Sequence, residues 1–544
     1  MAVNPSIQLG TDGNWAIKED NLLAYKKLGS RFFNREFDFS RGTTATFVGE
    51  NGLIQESFLT GTELVTNGDF ATDSDWTKGS GVTISDGEAL ITVTNGGYQS
   101  LGQSVTYISG KSYTLTASVN GTIGKGCTFF DASGNNGGLN TSNGVVTFNG
   151  EKQYISFDFI ANNNSNTVLI ARNGTGNYSF TIDNVSVKEI QLDVPRIDFT
   201  DDPTGHLLLE PQSTNLLTYS EDFNQWSKLN GGTGSLPIVT SNNSTSPDGT
   251  QNADKIIFNK GNATSNSDYS LIRLDYGGSD INGTSSVYLK SDVNIDIEIS
   301  SDDISYKTIS VTTNWNRFEV SDATSDRLSM GLRGTEPSNS SATIYAWGAQ
   351  LEQLSYATSY IPTSGSAVTR NQDICNNSGT ASDFNSEEGV IYAEIAALAS
   401  SDTNNPIRGI SISSGSTNNT IFIYYQAVLN RLSCIVISNG TTQFSNSTEL
   451  FNVADYLKIA LKYKQNDFAL WVNGVEVVTD TVGNAPIGLS ELAFDNGVGN
   501  DKFYGKTKNI QVFKRALTDA ELYLLTVTQY ESYQEMATAL NYTL

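Results

Sequence analysis

ELVTNGDFATDSDWTK (Glu63 to Lys78) and NLLTYSEDFNQWSK (Asn215 to Lys228) are two versions of one sequence pattern, and this repetition decides the fold. Each begins with an apolar pair and a threonine, places an acidic residue before a phenylalanine, and ends with tryptophan, a hydroxyl residue and lysine. The stretches that follow also end alike, in alternating strands with a late acidic residue: SFTIDNVSVKEI (Ser179 to Ile190) and ATIYAWGAQLEQL (Ala342 to Leu354). A shared beginning and a shared end indicate an internal repeat.

The residues between these ends alternate apolar and polar side chains over short runs separated by Gly and Asn turns. This period of two predicts β-strands whose apolar faces lie in a sandwich interior. Each repeat has the length and turn spacing of a jelly roll. We therefore predict one jelly roll over residues 62–192 and a second over residues 193–372, preceded by a docking or framework segment over residues 1–61.

A third sandwich is predicted over residues 373–544. Within FALWVNGVEVVTD (Phe468 to Asp480), Asn473-Gly474 separates two alternating apolar runs, which is a strong hairpin signal because both central positions of a tight turn need positive φ. Thr518 and Glu521 have the spacing of a capping box and predict the start of a helix. Its apolar stripe is Tyr523, Val527, Tyr530, Ala537 and Leu540. The predicted fold class is all-β, with serial β-sandwiches and a short C-terminal helix.

Charge and composition narrow the possible functions. The 544 residues include 58 acidic and 33 basic ones, a net charge of −25 that repels nucleic acid and anionic membranes. No apolar run is long enough to span a bilayer, and the first residues lack the pattern of a secretory signal, so we expect folding in a cytoplasm without membrane insertion. Three widely spaced cysteines predict neither a zinc site nor a disulfide framework.

Catalysis has little support in the sequence. The single histidine, His206, cannot supply a serine-protease-type triad or a histidine metal centre, and it is interpreted as structural. A glycosidase needs only two carboxylates, but no pair stands out among 58 acidic residues. We therefore predict a protein that is not an enzyme, while a glycan-degrading activity stays open as an alternative.

Sugar binding is the sharper hypothesis, because aromatic faces stack on pyranose rings while polar side chains bind the hydroxyls. Each aromatic residue can equally belong to a sandwich core. Trp347, between small residues on an alternating strand, is predicted to be core. The candidates for sugar contact are Trp76, Tyr98, Trp226, Tyr306, Trp315, Tyr424, Tyr425 and Trp471.

Two domain resemblances follow from these motifs. The first repeat, with NGDF, its later tryptophan and IDNVSVKE, resembles the jelly-roll carbohydrate-binding modules found beside bacterial glycanases. That resemblance implies a structural calcium ion, held by Asp69 and Asp183, and no other cofactor. The C-terminal segment, with WVNGV and NIQVFKRALTDAEL, resembles concanavalin A-like and laminin G-like sandwiches.

A wider framework resembles virion structural proteins of tailed phages, often tail or appendage proteins. It comprises FDFSRGTTATFVGENGLIQ (Phe37 to Gln55), VPRIDFTDDPTGHLLLEPQSTNLLTYSEDF (Val194 to Phe223), SPDGTQNADKI (Ser246 to Ile256) and WGAQLEQLSYATSYIPTSGSAVTRNQD (Trp347 to Asp373). In that family the first stretch runs almost directly into the second, so we interpret the first jelly roll as an insertion.

The resemblance implies a protein of the virion, assembled in the host cytoplasm. Its expected partners are other virion proteins, host-surface glycans and further copies of itself in a homo-oligomer. We expect a tail fibre, tail spike or related appendage that adheres to glycans. A capsid decoration or head-fibre protein without a receptor role, a glycan-degrading tail spike and an exported bacterial adhesin stay open as alternatives.

Overall fold

The computed structural model describes residues 5–10, 17–18, 21–28, 31–131, 144–161, 166–200, 202–399, 407–426, 430–449 and 452–527. Apart from a 3₁₀ turn at Phe223–Gln225 and an eight-residue α-helix, the regular structure in these ranges consists of β-strands in antiparallel ladders. The predicted all-β class is therefore confirmed. No helix in these ranges is long and apolar enough to cross a membrane.

The chain divides into two compact units, and the second unit interrupts the first in sequence. Residues 1–57 and 193–544 form the framework unit, and residues 58–192 form the inserted unit. Seven strands precede the insertion: β1 (Ile7–Leu9), β2 (Ile17–Lys18), β3 (Asn21–Leu28), β4 (Arg31–Glu36), β5 (Asp38–Ser40), β6 (Thr46–Val48) and β7 (Ile54–Glu56).

The inserted unit is a two-sheet sandwich. Its strands are β8 (Leu59–Glu63), β9 (Thr77–Lys78), β10 (Val82–Ser85), β11 (Glu88–Val93), β12 (Ser100–Val105), β13 (Ser112–Gly121), β14 (Gly126–Asp131), β15 (Val145–Thr147), β16 (Gln153–Ile160), β17 (Asn166–Asn173) and β18 (Tyr178–Gln191). One sheet has the order β10-β11-β18-β13-β16 with β8 beside β18, and the other has the order β15-β14-β17-β12-β9. Alternate apolar residues of both sheets, among them Ile91, Leu115 and Ile170, form the core.

The framework unit continues with a second sandwich and its flanking strands. These are β19 (Arg196–Asp198), β20 (His206–Leu209), β21 (Ser213–Asn215), β22 (Ser227–Gly231), β23 (Ser235–Ser244), β24 (Ala253–Asn259), β25 (Tyr269–Asp275), β26 (Ile281–Lys290), β27 (Ile295–Ser300), β28 (Lys307–Val311), β29 (Asn316–Ser325), β30 (Arg327–Arg333), β31 (Ser341–Glu352), β32 (Val368–Arg370) and β33 (Ile374–Asn376). The two sheets have the orders β22-β25-β30-β27-β28 and β23-β24-β31-β26-β29.

These sheet orders repeat those of the inserted unit strand for strand, with β22 in the place of β9, β23 in the place of β10, and so on to β31 in the place of β18. Even the irregularity in the long strand pair recurs. The ladder of β13 with β18 shifts register between Thr116 and Ser118, and that of β26 with β31 shifts between Ser286 and Tyr288. The internal repeat seen in the sequence is therefore a repeat of topology.

The C-terminal sandwich contains β34 (Glu388–Ala397), β35 (Ile407–Ser413), β36 (Thr420–Gln426), β37 (Arg431–Ser438), β38 (Thr441–Thr448), β39 (Leu457–Lys464), β40 (Phe468–Val472), β41 (Val475–Asp480), β42 (Glu491–Ala493) and β43 (Gly505–Phe513), followed by α1 (Asp519–Thr526). The sheet β43-β34-β39-β40-β41 packs against the sheet β38-β37-β36-β35-β42 around one large core. Helix α1 covers the outer side of the first sheet through Leu522 and Leu525.

Two local predictions in this sandwich are confirmed. Asn473 and Gly474 have φ of 48° and 80° in the turn between β40 and β41. Thr518 and Glu521 form both hydrogen bonds of a capping box. Of the predicted helical stripe, Tyr530, Ala537 and Leu540 lie outside the described residues.

Strands β1 and β5, from the predicted docking or framework segment over residues 1–61, pair with strands of this part of the chain, whereas β6 and β7 pair with each other. Strand β1 pairs with β43, with Gln8 opposite Gln511, and β5 pairs with β33, with Phe39 opposite Cys375. Ile7, Leu9 and Phe37 are buried in the C-terminal core. Strands of three residues are too short to show a recognisable alternation of apolar and polar side chains. Their pairing partners also lie several hundred residues away in the sequence.

Candidate functional site

Five charged residues meet in the interior of the framework unit, and we call them the framework ion cluster: Arg41, Arg196, Glu210, Arg370 and Asp373. Arg196 joins the two acids, with Nη1 2.6 Å from Glu210 Oε2 and Nη2 2.5 Å from Asp373 Oδ2. Arg41 contacts Asp373 at 3.1 Å, and Arg370 contacts Glu210 at 2.7 Å. The cluster thus connects three framework stretches that are far apart in sequence.

The geometry of the cluster fixes its charge state. Glu210 is buried, which alone would favour the neutral acid, but Arg370 and Arg196 and the Ser359 backbone and hydroxyl donors hold its pKa down to about 2. Desolvation lowers the pKa of Arg41 to about 10, and the nearby Asp373 opposes this shift. Glu210 and Arg41 are therefore charged at neutral pH, and each of the five side chains contacts one of opposite sign.

Above this cluster, a cleft of about 600 Å³ opens on the outer face of the sheet that contains β26 and β29. We call it the Trp315 cleft. Its size is that of a small-molecule site. Its lining combines aromatic and polar side chains: Phe47, Tyr288, Trp315, Tyr356 and Tyr360 with Asp198, Thr200, Glu210, Asn316, Arg317, Glu319, Thr358, Ser359 and Lys506.

Trp315 is half-buried directly before β29 and is held by two contacts. Its indole Nε1 donates to the Thr245 carbonyl at 3.1 Å. The Lys290 ammonium lies 5.1 Å from the ring centroid, a cation–π distance. A ring fixed in this way, with part of its surface open to a cleft, can stack on a sugar at little cost in side-chain entropy.

Residues on β29 and β26 extend this surface. Arg317 lies opposite Tyr288 across the ladder, and its guanidinium carbon is 5.4 Å from the Tyr288 ring. Arg317 Nη1 donates to the Thr358 carbonyl at 2.6 Å and Nη2 donates to Ser286 Oγ at 2.9 Å. Glu319 is the next residue on the same face and is exposed. The strand therefore presents a ring, a cation and an acid in order.

Four of the eight predicted sugar contacts are buried core residues: Trp76, Trp226, Tyr425 and Trp471. Trp226 is only 3% exposed and packs on Phe223 at 4.8 Å, and Trp76 packs on Phe70 at 5.2 Å. In each repeat the indole donates to a backbone carbonyl, that of Asn67 or of Tyr219. The tryptophan of the repeated motif therefore fills the sandwich core. A ring that is covered on both faces has no surface on which a pyranose could stack.

Trp347 is 1% exposed and packs on Tyr360, so its predicted core position is confirmed. The remaining candidates lie outside the Trp315 cleft. Tyr98 is 63% exposed on the inserted unit. Tyr306 donates to Asp303 at 3.0 Å beneath the Arg333 guanidinium, and Tyr424 stacks on Phe422 at 4.8 Å. Of these eight, Trp315 lines the cleft described above, beside its convergent polar groups.

His206 is fully buried, and its Nε2 lies 3.6 Å from Asp198 Oδ1. This position agrees with the structural role expected from the sequence. The three cysteines are buried and free, and burial raises the pKa of Cys434 to about 12, so its thiol is neutral and unreactive at physiological pH.

The calcium prediction stays a prediction. In the inserted unit, the Asp183 carboxylate accepts from the Asn184 backbone at 2.7 Å and lies 3.3 Å from the Lys152 ammonium. Asp69 accepts only a long contact from Ala71, at 3.4 Å. Among the described residues no group of three or more acidic, histidine or cysteine side chains is arranged to hold a metal ion.

The position equivalent to Asp183 in the second sandwich is given by strand register. Asp183 lies opposite Ser118 and Trp347 lies opposite Tyr288, at the same point of the two bulges. Asn184 and Gly348, with φ of 54° and 65°, are the bulged residues. Because Trp347 replaces Asp183, the second sandwich lacks this carboxylate.

No protein-family model matches the chain, and no curated protein matches it significantly. Among solved structures, the chain is similar to the Ruminococcus gnavus IT-sialidase CBM40 bound to α2,3-sialyllactose, with 17% identity over 28% of this chain and 93% of that one, at a TM-score of 0.24. A mutant NanB sialidase from Streptococcus pneumoniae matches with 16% identity over 27% of this chain and 25% of that one, at a TM-score of 0.24. A CBM4 structure matches with 12% identity over 21% of this chain and 94% of that one, at a TM-score of 0.19. The similarity covers part of the chain and is a similarity to β-sandwich domains.

Proposed function

We propose that this chain is a non-enzymatic virion structural protein of a tailed phage, a tail fibre, tail spike or related appendage that holds host-surface glycans in the Trp315 cleft. The observation that carries the adhesive role is the cleft itself. It combines a fixed, half-buried indole with convergent hydrogen-bonding groups in a volume of about 600 Å³. Each contact would be weak, and many copies on one particle would multiply it into firm attachment.

The virion assignment is supported by the framework stretches of the sequence. Arg41, Arg196 and Asp373 lie in three of these stretches and meet in the framework ion cluster. The sequence resemblance therefore includes residues whose ion pairs connect distant parts of the framework unit. The acidic surface, with a net charge of −25, is compatible with a soluble, multicopy particle protein.

The adhesive role is tested by glycan-array binding of the full chain, followed by titration of the best-bound glycan. We expect Trp315→Ala to reduce affinity at least about tenfold, because removing an aromatic side chain that anchors a ligand typically costs about 2 kcal/mol or more. Tyr154→Ala is the matched control, since Tyr154 is 81% exposed and lies on the inserted unit.

Two results contradict the proposal. One is the absence of any bound glycan in the wild-type chain, and the other is binding that Trp315→Ala leaves unchanged. Circular dichroism and melting curves of both variants separate a lost contact from a lost fold. Release of reducing ends from the bound glycan would instead establish the degrading alternative.

The location on the particle needs a separate experiment. We expect antibody labelling or a cryo-EM map of the virion to place the chain on the tail or an appendage. Placement on the capsid faces would favour the decoration or head-fibre alternative and would remove the receptor role, even if the isolated chain binds glycans.

Calcium is a further part of the proposal, for the inserted unit. An ion at Asp69 and Asp183 would have to displace the Lys152 ammonium, which is 3.3 Å from Asp183. Adding Ca²⁺ after chelation should then raise the melting temperature of the inserted unit, and Asp183→Asn should abolish the rise. Unchanged melting of the wild-type chain would exclude a structural calcium ion there.

A further inference from the structure

The charged side chains that line the Trp315 cleft differ in how far their hydrogen-bonding groups are already used by other residues. The acids of the floor are fully engaged: Glu210 contacts two arginines and Ser359, and Asp198 accepts from the backbone amides of Val48 and Thr200 at 2.8 and 2.9 Å. Among the lining acids this leaves the exposed Glu319 open to a ligand.

Arg317 is the opposite case. Its hydrogen-bond acceptors are neutral, the Thr358 carbonyl and the Ser286 hydroxyl, and no carboxylate of the described chain lies within ion-pair distance of it. Two of its five N–H donors are thereby used, while the planar group stays able to donate further. Burial alone would lower the pKa of Arg317, but Tyr288 and the more distant acids, Glu352 first among them, raise it above its usual value.

The same is true of Lys290 beside Trp315. Its contacts are the ring faces of Trp315 at 5.1 Å and Tyr345 at 5.3 Å, and within the described residues it has no acidic partner. Two fixed cations without ion pairs therefore flank the stacking surface of a protein whose net charge is −25. A partly buried cation is most stable with an anion in contact, so this arrangement favours an anionic ligand.

The distance between Trp315 and Arg317 suits a sugar ring that bears a carboxylate. Trp315 directly precedes β29 and Arg317 is the second residue of that strand, and both line the cleft. Two residues along an extended chain span about 7 Å. A pyranose stacked on Trp315 would hold a ring carboxylate within reach of Arg317. Strand β29 is also an edge strand, with β26 as its single neighbour among the described strands, which leaves room for a glycan along it.

We propose that the Trp315 cleft selects acidic glycans, with a sugar ring on Trp315 and its carboxylate on Arg317, and this inference rests on the proposed function. Arg317 would bind the carboxylate through charge-assisted hydrogen bonds, and Lys290 would add a second positive charge. Glu319, one step further along β29, would repel a carboxylate in the reverse orientation and so fix the direction of the glycan.

The test compares the full chain on an array that holds uronic-acid and other carboxylate-bearing glycans together with their carboxyl-reduced counterparts. We expect the best-bound glycans to be acidic, carboxyl reduction to weaken them at least about tenfold, and added salt to weaken the acidic ligands alone. Arg317→Gln should cost the acidic glycan about tenfold and leave the reduced one unchanged. Arg317→Lys should restore part of the loss.

Arg333→Gln is the matched control, because Arg333 lies 4.9 Å over the Tyr306 ring and outside the cleft. Preferred binding of neutral glycans, or acidic binding that Arg317→Gln leaves unchanged, overturns the inference. If the observed glycan binding, neutral or acidic, is nevertheless lost in Trp315→Ala, the adhesive function stands and only the role of Arg317 in selecting acidic glycans is excluded. If the wild-type chain binds no glycan, the proposed function fails and the inference fails with it. Melting curves of Arg317→Gln and Arg317→Lys that match the wild type show that both variants are folded.

Discussion

Removing the central arginine of the framework ion cluster should destabilise the framework unit strongly. Arg196→Met keeps much of the side-chain volume but leaves the fully buried Glu210 and Asp373 each without one partner. Loss of one partner from a buried ion pair costs about 3–5 kcal/mol. Arg370 and Arg41 still contact the two acids, so we expect the lower end of this range, about 3 kcal/mol.

The pKa of Glu210 gives the pH dependence of this loss. Arg370, Arg196 and Ser359 together lower it from 4.5 to about 2. At about 1.4 kcal/mol per pKa unit, the shift corresponds to about 3.5 kcal/mol of stability at neutral pH, which these partners share. Because the folded pKa lies below the unfolded one, the contribution is complete above pH 4.5 and is lost as the pH falls towards 2. The difference between wild type and Arg196→Met should therefore shrink over that window.

Urea denaturation followed by tryptophan fluorescence measures the effect, since Trp226, Trp315, Trp347 and Trp471 all lie in the framework unit. Lys464→Met is the control, because the Lys464 to Glu388 pair has side chains 49% and 30% exposed and should contribute little to stability. If the two variants lose equal stability at pH 7, or if the loss in Arg196→Met does not change with pH, the cluster does not stabilise the fold as argued.

Three further predictions concern stability. Deleting residues 58–192 and joining Ser57 to Asp193 should leave the melting transition of the framework unit in place, as calorimetry would show; its loss would mean that the framework needs the insertion. Trp226→Ala should cost about 3–5 kcal/mol of unfolding free energy in urea without changing glycan selectivity, because it removes a core ring. Burial raises the pKa of Glu298 to about 7, so Glu298→Gln should stabilise the chain at pH 8 and lose this advantage by pH 4; an equal effect at both pH values would contradict the assigned burial.

The fold was largely predictable because its signals are local and repeated. Alternation and turn residues identify strands within a window of a few residues, and the paired motifs ending in Trp76 and Trp226 mark equivalent points of two sandwiches. The Asn473-Gly474 turn and the Thr518 capping box are equally local. The pairing of β1 with β43 has no such signal, because Gln8 and Gln511 meet only after the whole framework has closed.

The site was harder to predict, because a sequence does not show which face of a ring is covered. Trp226 and Trp315 have similar polar neighbours in sequence, yet one fills a core and the other borders a cleft. Arg317 was not singled out at all, since its neutral acceptors come from Ser286 and Thr358 on other segments. A missing ion partner is a three-dimensional property, and it becomes visible only when every neighbouring acid has been placed.

The framework ion cluster also explains how the framework tolerates an insertion of this size. Arg41 donates to the Ser57 hydroxyl at 2.5 Å and to the Val194 carbonyl at 3.2 Å, so one buried side chain holds the residues on both sides of the insertion. Asp193 accepts from the backbone amides of Arg41 and Gly42, at 2.6 Å each. With its two ends joined by these bonds, the framework is already closed at the insertion point. The inserted unit therefore adds little closure entropy to the folding of the framework, which is the physical reason to expect the deleted chain to fold.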